Sequence, residues 1–357
     1  MFCRILLTSL FCLSGALNLR ASEVGINPSP VAMITNPCPD YSLINSVDFH
    51  PNKNLFCVTY TQGNRVVLYK IDAKGEPKLV QSLVNPGSEL SDPQHAVFSP
   101  DGTRIVVANW TSQTLTIYQR EKKGLYCTTP VTVIPSPDIL KPHRPHGVAF
   151  SPCGNFLAIA YGASYSYGQA LALYHMTNNG IGCELVSALR GSQLPGIPKG
   201  VTFSPDGTCL VVTFSDMNSL VVYGLSNNGQ AIVESPLQII QGSETQISRP
   251  EDVKISPDGR HCAVSNSDQH TVTFYPFDKK SNSITQSSPS YILRNPEAQL
   301  CFPHGIAFSP DGCFVVITQF GPLHTTSDGG IWWDHTVQPG QAKVGVYRIR
   351  ATNPLTH

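Results

Sequence analysis

The sequence predicts an all-β protein, a six-bladed β-propeller of four-stranded antiparallel blades. Three observations favour this fold. A turn motif flanked by apolar runs occurs six times, the copies are nearly evenly spaced, and the last repeat lacks a fourth strand that a segment near the N-terminus can supply. The first two observations give the number of blades, and the third gives the way in which the ring closes.

The turn motif is clearest in the last copy, where the Ser-Pro-Asp-Gly sequence at 309–312 separates the apolar runs 304–308 and 313–317. Proline fixes its own φ and glycine tolerates positive φ, so the motif predicts a tight hairpin between two buried strands. The turn prolines stand 49 to 53 residues apart, at Pro51, Pro100, Pro152, Pro205, Pro257 and Pro310. A strand-type repeat of this length is typical of a propeller blade.

The four strands of one repeat can be assigned in the third copy, at residues 146–151, 156–161, 170–175 and 185–189. The turn after the third strand contains Asn-Asn-Gly at 178–180, a composition that allows positive φ. Each repeat therefore has the strands of one antiparallel blade.

The last repeat ends soon after its third strand, which we place at 344–349. The segment 31–36 near the N-terminus has the composition of the fourth strands of the other repeats. We therefore predict that 31–36 pairs with 344–349 and closes the ring, which removes an unpaired sheet edge.

Composition favours one globular domain, at residues 23–357, because the repeat runs through almost the whole chain. Charged residues make up 13% of the sequence and the formal net charge is zero. A basic surface for nucleic acid is not expected from this balance, so we predict no nucleic-acid partner. We also expect a monomer.

Residues 1–22 have the features of a secretory signal peptide: Arg4, a short apolar run at 5–17, and small residues at Ala21 and Ser22. The run is too short to span a membrane, and no later apolar run approaches spanning length, so we predict no transmembrane segment. These features predict a secreted, periplasmic or cell-envelope protein.

A ring of polar residues is predicted around the propeller axis, at the position six residues before each turn proline. Its members are Asn45, Gln94, His146, Lys199, Glu251 and His304. Six-fold geometry places His146 opposite His304, Gln94 opposite Glu251, and Asn45 opposite Lys199. A facing histidine pair can act as acid and base or hold a metal; alternatively, the ring lines a water-filled channel.

Further polar residues are expected on the same face, because the connections into the first strand and out of the second strand meet there. Asn109 and Asn266 end second strands. The long connection 320–343 contains Trp332, Trp333 and His335, and we predict that it folds over the funnel. The residues alone predict a funnel that binds a small-molecule or protein ligand.

Two repeats also carry a family resemblance. Pro-His-Gly-Val-Ala-Phe-Ser-Pro at 145–152 and Pro-His-Gly-Ile-Ala-Phe-Ser-Pro-Asp-Gly at 303–312 resemble the repeats of lactonase-like and YVTN-type propellers. Gln-His-Ala-Val-Phe-Ser-Pro-Asp-Gly at 94–102 is similar. The lactonase branch is usually seven-bladed, whereas six repeats are present here.

The resemblance to lactonase-like propellers implies, as the alternative to binding alone, hydrolysis of a sugar lactone at the funnel. The matching positions for catalysis are His146, His304, Glu251 and Lys199. The YVTN-type branch implies a binding scaffold rather than an enzyme. We expect no cofactor, unless calcium is bound as in six-bladed calcium-dependent lactonases, for which the available oxygen ligands are those of Glu251, Asn109, Asn266 and Asn45.

Overall fold

The computed structural model describes residues 25–35, 43–84, 89–140, 144–162, 168–321 and 341–349. Within these ranges the chain forms strands and four one-turn 3-10 helices, and no α-helix. The predicted signal peptide and the residues Trp332, Trp333 and His335 lie outside them. Nowhere in the described part does a helix have the length and apolarity needed to cross a bilayer.

The repeated turn is stabilised by its own side chains. In the last copy, the Ser309 hydroxyl donates to Asp311 Oδ1 at 2.6 Å and accepts from the Phe314 amide at 2.9 Å. Gly312 has a φ of +68°, the conformation for which glycine is favoured. The motif therefore connects the first and second strands of a blade through local contacts alone, which explains its repetition.

The first three blades each contain four antiparallel strands. Blade 1 consists of Ile44–Phe49, Leu55–Tyr60, Arg65–Ile71 and Pro77–Val84. Blade 2 consists of Pro93–Phe98, Arg104–Asn109, Thr114–Gln119 and Thr132–Pro135. Blade 3 consists of Pro145–Phe150, Phe156–Gly162, Gln169–Thr177 and Gly182–Arg190. The strands predicted for the third repeat are all present, and the fourth begins three residues earlier than expected.

In the next two blades the outer strand is split into two short pieces. Blade 4 consists of Pro198–Phe203, Cys209–Phe214, Ser219–Ser226, Ala231–Ile232 and Gln238–Ile240. Blade 5 consists of Pro250–Ile255, His261–Asn266, Thr271–Asp278, Ser283–Ile284 and Tyr291–Leu293. Pro236 and Pro289 lie between the pieces, and a proline has no N–H to donate to the neighbouring strand. The 3-10 helices are Asp138–Leu140, Asn178–Gly180, Gly191–Gln193 and Ser243–Thr245.

Blade 6 is completed by the N-terminal strand, as predicted. Its strands are Pro303–Phe308, Phe314–Gln319, Lys343–Arg348 and Ala32–Thr35. Ala32 pairs with Val346 and Ile34 with Val344, antiparallel. First strands of successive blades pack against one another, including those of blades 1 and 6. The six sheets formed by the described residues are therefore arranged in a closed ring.

The core lies between neighbouring blades, where side chains from facing sheets interdigitate. Each third strand contributes one buried tyrosine near its end: Tyr69, Tyr118, Tyr174, Tyr223, Tyr275 and Tyr347. Some hydroxyls bond across a blade, as between Tyr161 and Tyr174 at 2.6 Å. This packing fixes the first strands, and with them the residues at the axis.

Candidate active site

The six axial residues lie in β-bulges at the start of the first strands. In every blade the pairing of first and second strands shifts register at this position, for example between Pro250 and Val253 in blade 5. A bulge re-aims the side chains that it contains. As a result two consecutive residues, Glu251 and Asp252, both line the axial space.

At the axis lies a cavity of about 10 Å³, lined by residues that include Asn45, Gln94, His146, Glu251 and His304. A cavity of this volume is about the smallest that can hold one water molecule. His146, Glu251 and His304 are 5%, 1% and 6% exposed.

The glycines that follow His146 and His304 allow the ring of axial residues to be narrow. A Cβ on Gly147 would lie 2.2 Å from the Lys199 carbonyl oxygen, and one on Gly305 would lie 2.7 Å from the Asn45 carbonyl oxygen. Both distances are far below van der Waals contact. The first strands of neighbouring blades can therefore approach closely only because these residues have no side chain.

The four residues proposed for catalysis are brought together at the axis. His304 Nε2 lies 3.4 Å from Glu251 Oε2, and Lys199 Nζ lies 3.8 Å from the same oxygen. The rings of His146 and His304 have their centroids 5.5 Å apart, so this facing pair is in contact. Contacts also form between neighbouring blades, since the Asn45 amide donates to Gln94 Oε1.

Arg249 was not identified from the sequence, although it precedes the axial position of blade 5 by two residues. Its Nε lies 3.6 Å from Glu251 Oε1, and its Nη1 lies 3.7 Å from Asp268 Oδ1. The Glu251 carboxylate is thus flanked by Lys199 and Arg249, one cation near each oxygen. The position of Arg249 in the loop that enters the first strand was the one feature of the sequence that could have identified it.

Aromatic rings flank the two histidines. Phe320 stacks on His304, with a centroid distance of 4.7 Å and an interplanar angle of 25°. Trp110 meets His146 edge-on at 6.0 Å, and the Arg144 guanidinium lies 5.6 Å from the Trp110 ring. Aromatic and cationic groups therefore border the buried cluster.

Burial keeps both axial histidines neutral. It lowers the pKa of His304 to about 4, against the opposing effect of the Glu251 carboxylate, while Lys199 lowers it further. Burial also lowers the pKa of His146 well below its usual value, again with a contribution from Lys199. The pKa of Lys199 is itself lowered by burial, with Glu251 acting in the opposite direction.

A hydrogen bond fixes the tautomer of His304. Its Nδ1 lies 3.2 Å from the Asn45 carbonyl oxygen, which can only accept, so Nδ1 carries the proton. The remaining nitrogen of the neutral ring, Nε2, is then a lone-pair acceptor, and it faces Glu251. For His146, the Lys199 backbone raises the pKa against the larger effect of burial.

Several buried polar atoms at the axis lack a hydrogen bond within the described residues. They include both carboxylate oxygens of Glu251, Asn45 Oδ1 and His95 Nε2. His95 Nδ1 accepts from the Val148 amide at 3.4 Å, so its Nε2 carries the proton. His95, next to the axial Gln94, was not singled out from the sequence. The acceptors concentrated at Glu251 and His304 favour a bound donor or cation.

The sequence matches one family model, described as "Lactonase, 7-bladed beta-propeller", over residues 42–163 and 184–298, more than half of the chain. The chain belongs to this lactonase family. The family description specifies seven blades, whereas the described residues of this lactonase-family protein form six sheets in a closed ring. A search of curated proteins gave no match.

Similar solved structures include the periplasmic gluconolactonase PpgL from Pseudomonas aeruginosa, at 20% identity and a TM-score of 0.54, covering 76% of this chain and 77% of that one. A putative 6-phosphogluconolactonase from Bacteroides uniformis is 15% identical, with a TM-score of 0.55 and 76% coverage of each chain. A luciferin-regenerating enzyme is 13% identical, with a TM-score of 0.59 and coverage of 88% and 92%. At these identities the likeness concerns the fold.

Asn109 and Asn266 do not line the axial cavity of the lactonase-family protein. Asn109 Oδ1 accepts from the Ser91 amide at 3.1 Å, and Asn266 Oδ1 accepts from the Ser248 amide at 3.1 Å. Both side chains are fully buried. They anchor the loops that enter the first strands, and calcium binding by Glu251, Asn109, Asn266 and Asn45 stays a prediction.

A second charged group lies on the axis towards the opposite mouth of the propeller. Asp48 Oδ2 accepts from the Phe98 amide of blade 2 at 2.8 Å, and Asp252 Oδ2 accepts from the Ile306 amide of blade 6 at 3.0 Å. Lys254 Nζ lies 3.9 Å from Asp252 Oδ1. These bonds link neighbouring first strands.

The Asp48→Asn variant should be more stable than the wild type at pH 7. Burial raises the pKa of Asp48 from 3.8 to about 6, although Lys254 opposes the shift. Between these two pH values the folded protein keeps a proton that the unfolded chain releases, so rising pH destabilises the fold. We expect the variant to gain about 3 kcal/mol at pH 7 and nothing below pH 4. Urea unfolding at both pH values measures this, and a gain of equal size at both would contradict it.

Proposed function

We propose that the protein hydrolyses a lactone of a sugar acid at the axial funnel. The observation that carries the proposal is the convergence of His304, Glu251, His146 and Lys199 at the axis. Membership of the lactonase family supports hydrolysis over ligand binding without catalysis. The fold alone does not decide, because a nidogen/laminin complex is also among the similar structures, with a TM-score of 0.54.

Hydrolysis of a lactone requires an activated water and a stabilised oxyanion. A water that donates one hydrogen to His304 Nε2 and the other to Glu251 Oε2 satisfies both acceptors, which are 3.4 Å apart. As its oxygen bonds to the lactone carbonyl carbon, one proton passes to this pair. The ring C–O bond then breaks, and the alkoxide that leaves takes up the proton.

The cations beside Glu251 supply the opposite charge. Lys199 and Arg249 approach from the more exposed side of the cluster, with side chains 12% and 23% exposed, whereas that of Glu251 is 0% exposed. In the proposed reaction these cations stabilise the negative charge that develops on the carbonyl oxygen.

The surroundings suit a sugar ring. Phe320 and Trp110 offer apolar faces beside the two histidines, and Arg144 offers hydrogen-bond donors. Two of the similar structures are described as a gluconolactonase and a putative 6-phosphogluconolactonase. Residues 1–22 have the features of a signal peptide, so the proposal includes export of the protein. We also propose that the protein acts as a monomer.

The test is an assay of the purified protein against a panel of aldonolactones, with and without a 6-phosphate. Acid release followed by pH-stat should exceed the spontaneous rate for at least one member. The His175→Ala variant provides a control, because this exposed histidine of blade 3 lies outside the axial cluster. If no lactone is hydrolysed while one of them binds, the funnel is a binding site without this activity.

A further inference from the structure

Three potential metal-ligating side chains meet at the axis. One ligand atom each from His146, Glu251 and His304 can be chosen so that all three lie within 4.8 Å of one another. The three residues come from blades 3, 5 and 6, so closure of the ring alone brings them together. All three are buried, unlike the acidic groups that are common on protein surfaces.

The orientation of His304 is the one found in metal sites. A ligating histidine donates its other ring N–H to a carbonyl or carboxylate, which turns the free lone pair towards the ion. Here the carbonyl of Asn45 accepts from Nδ1 of His304. Asn45 belongs to the next blade, so blade packing holds the Nε2 lone pair of His304 in place.

The Glu251 carboxylate gives the second, independent observation. Its side chain is 0% exposed, and neither oxygen makes a hydrogen bond within the described residues. Lys199 and Arg249 lie 3.8 Å and 3.6 Å from these oxygens, beyond hydrogen-bonding distance, so the desolvated carboxylate still has lone pairs that a bound cation can use. The 3.4 Å between His304 Nε2 and Glu251 Oε2 is close to the edge of a tetrahedron, about 3.4 Å for metal–ligand bonds near 2.1 Å.

We propose that His146, His304 and Glu251 bind a divalent transition-metal ion of the Zn²⁺ class. Two imidazole nitrogens with one carboxylate oxygen suit this class, whereas calcium prefers a shell of oxygens. The 10 Å³ cavity has room for a single particle of about the size of a water molecule. Asp252 also lines this cavity.

Binding of the ion does not depend on the proposed hydrolysis, but a role for it in catalysis rests on that function. When bound, the ion supplies Lewis acidity and lowers the pKa of a ligated water. It would occupy the position between His304 and Glu251 that the proposed mechanism gives to the attacking water.

The experiment uses the whole protein, freed of metal with a chelator, incubated with one equivalent of Zn²⁺ and desalted. Mass spectrometry of the metal content should give about one zinc per chain. The His146→Ala and His304→Ala variants should retain less than about a tenth of this, and Glu251→Gln should bind at least about tenfold more weakly. His175→Ala is the matched control and should bind as the wild type does.

A wild-type measurement covers the case in which a variant fails to fold. Anomalous diffraction from zinc-soaked crystals should show a peak between the three side chains. A wild type that binds no zinc at one equivalent, a peak elsewhere, or full binding by a folded His146→Ala, His304→Ala double variant would overturn the proposal.

Assays of lactone hydrolysis in chelator separate the two proposals. If the wild type hydrolyses a lactone in chelator and takes up no zinc in the binding measurement, the proposed function is supported and the metal site is overturned. Conversely, zinc bound at the axis without turnover of any lactone supports the metal site and contradicts the proposed function.

Discussion

Glu251→Gln should lower kcat/KM for lactone hydrolysis by about 10²- to 10⁴-fold, the range that general acid–base groups contribute. Glutamine keeps the size of the side chain but removes the negative charge and one acceptor. The carboxylate lies 3.4 Å from His304 Nε2 and 3.8 Å from Lys199 Nζ, so the change removes the partner of both. Because the effect falls on water activation, the loss should appear in kcat more than in KM.

Glu184→Gln makes the same chemical change at an exposed position of blade 3 and should leave kcat unchanged. Circular dichroism and the melting temperature show whether each variant folds. A folded Glu251→Gln protein with kcat within about threefold of the wild type would contradict a role of this carboxylate in the chemical step.

The double variant Glu251→Gln, His304→Ala tests whether the two residues act as a unit. Groups that serve one step show strongly non-additive losses. We therefore expect the double variant to lose hardly more activity than His304→Ala alone. Losses that multiply would show that Glu251 and His304 contribute to separate steps.

The fold could be predicted because the strand and turn pattern of one blade occurs six times in the sequence. Each copy of the turn is stabilised by contacts within about six residues, as the Ser309, Asp311 and Phe314 bonds show. Local patterns of this kind are readable from one sequence. The closure by Ala32–Thr35 was also predictable, because three strands could be assigned to the sixth repeat and this segment has the composition of a fourth strand.

Counting back from the turn proline identified the axial residues, but their mutual distances could not be obtained in this way. The ring is narrow because Gly147 and Gly305 let neighbouring strands approach, which is a property of two blades rather than of one repeat. The bulges that turn both Glu251 and Asp252 towards the axis likewise break the strict alternation assumed for a strand.

Residues in the connections were the least predictable. Asn109 and Asn266 end their strands as expected, but nothing in the sequence indicates that their side-chain oxygens accept from the amides of the entering loops. Arg249 was missed because its contact with Glu251 depends on the conformation of the entering loop and on the bulge at the start of the strand. Such contacts depend on loop conformation, which has no periodic pattern in the sequence.

Removal of residues 1–35 should destabilise the protein by several kcal/mol relative to a protein that lacks only residues 1–24. The longer deletion removes Ala32–Thr35, which pairs with Lys343–Arg348. It also removes the apolar side chains of Val31, Ala32 and Ile34, which pack against the core between blades 1 and 6. Each half-buried side chain contributes about 1 kcal/mol to the free energy of unfolding. The deletion also removes the backbone hydrogen bonds along the edge of Lys343–Arg348. Urea unfolding of the two proteins measures the difference.

The destabilised protein also allows a complementation test, because the missing strand is a separate piece of the blade. A synthetic peptide of residues 25–35 should restore the melting temperature in proportion to the logarithm of its concentration above the dissociation constant. The same peptide with Ile34→Asp should not, because its charge would enter the apolar core between blades 1 and 6. If the two truncated proteins melt at the same temperature, this strand does not hold the ring closed, and the contact between His146 and His304 must depend on the six inner strands alone.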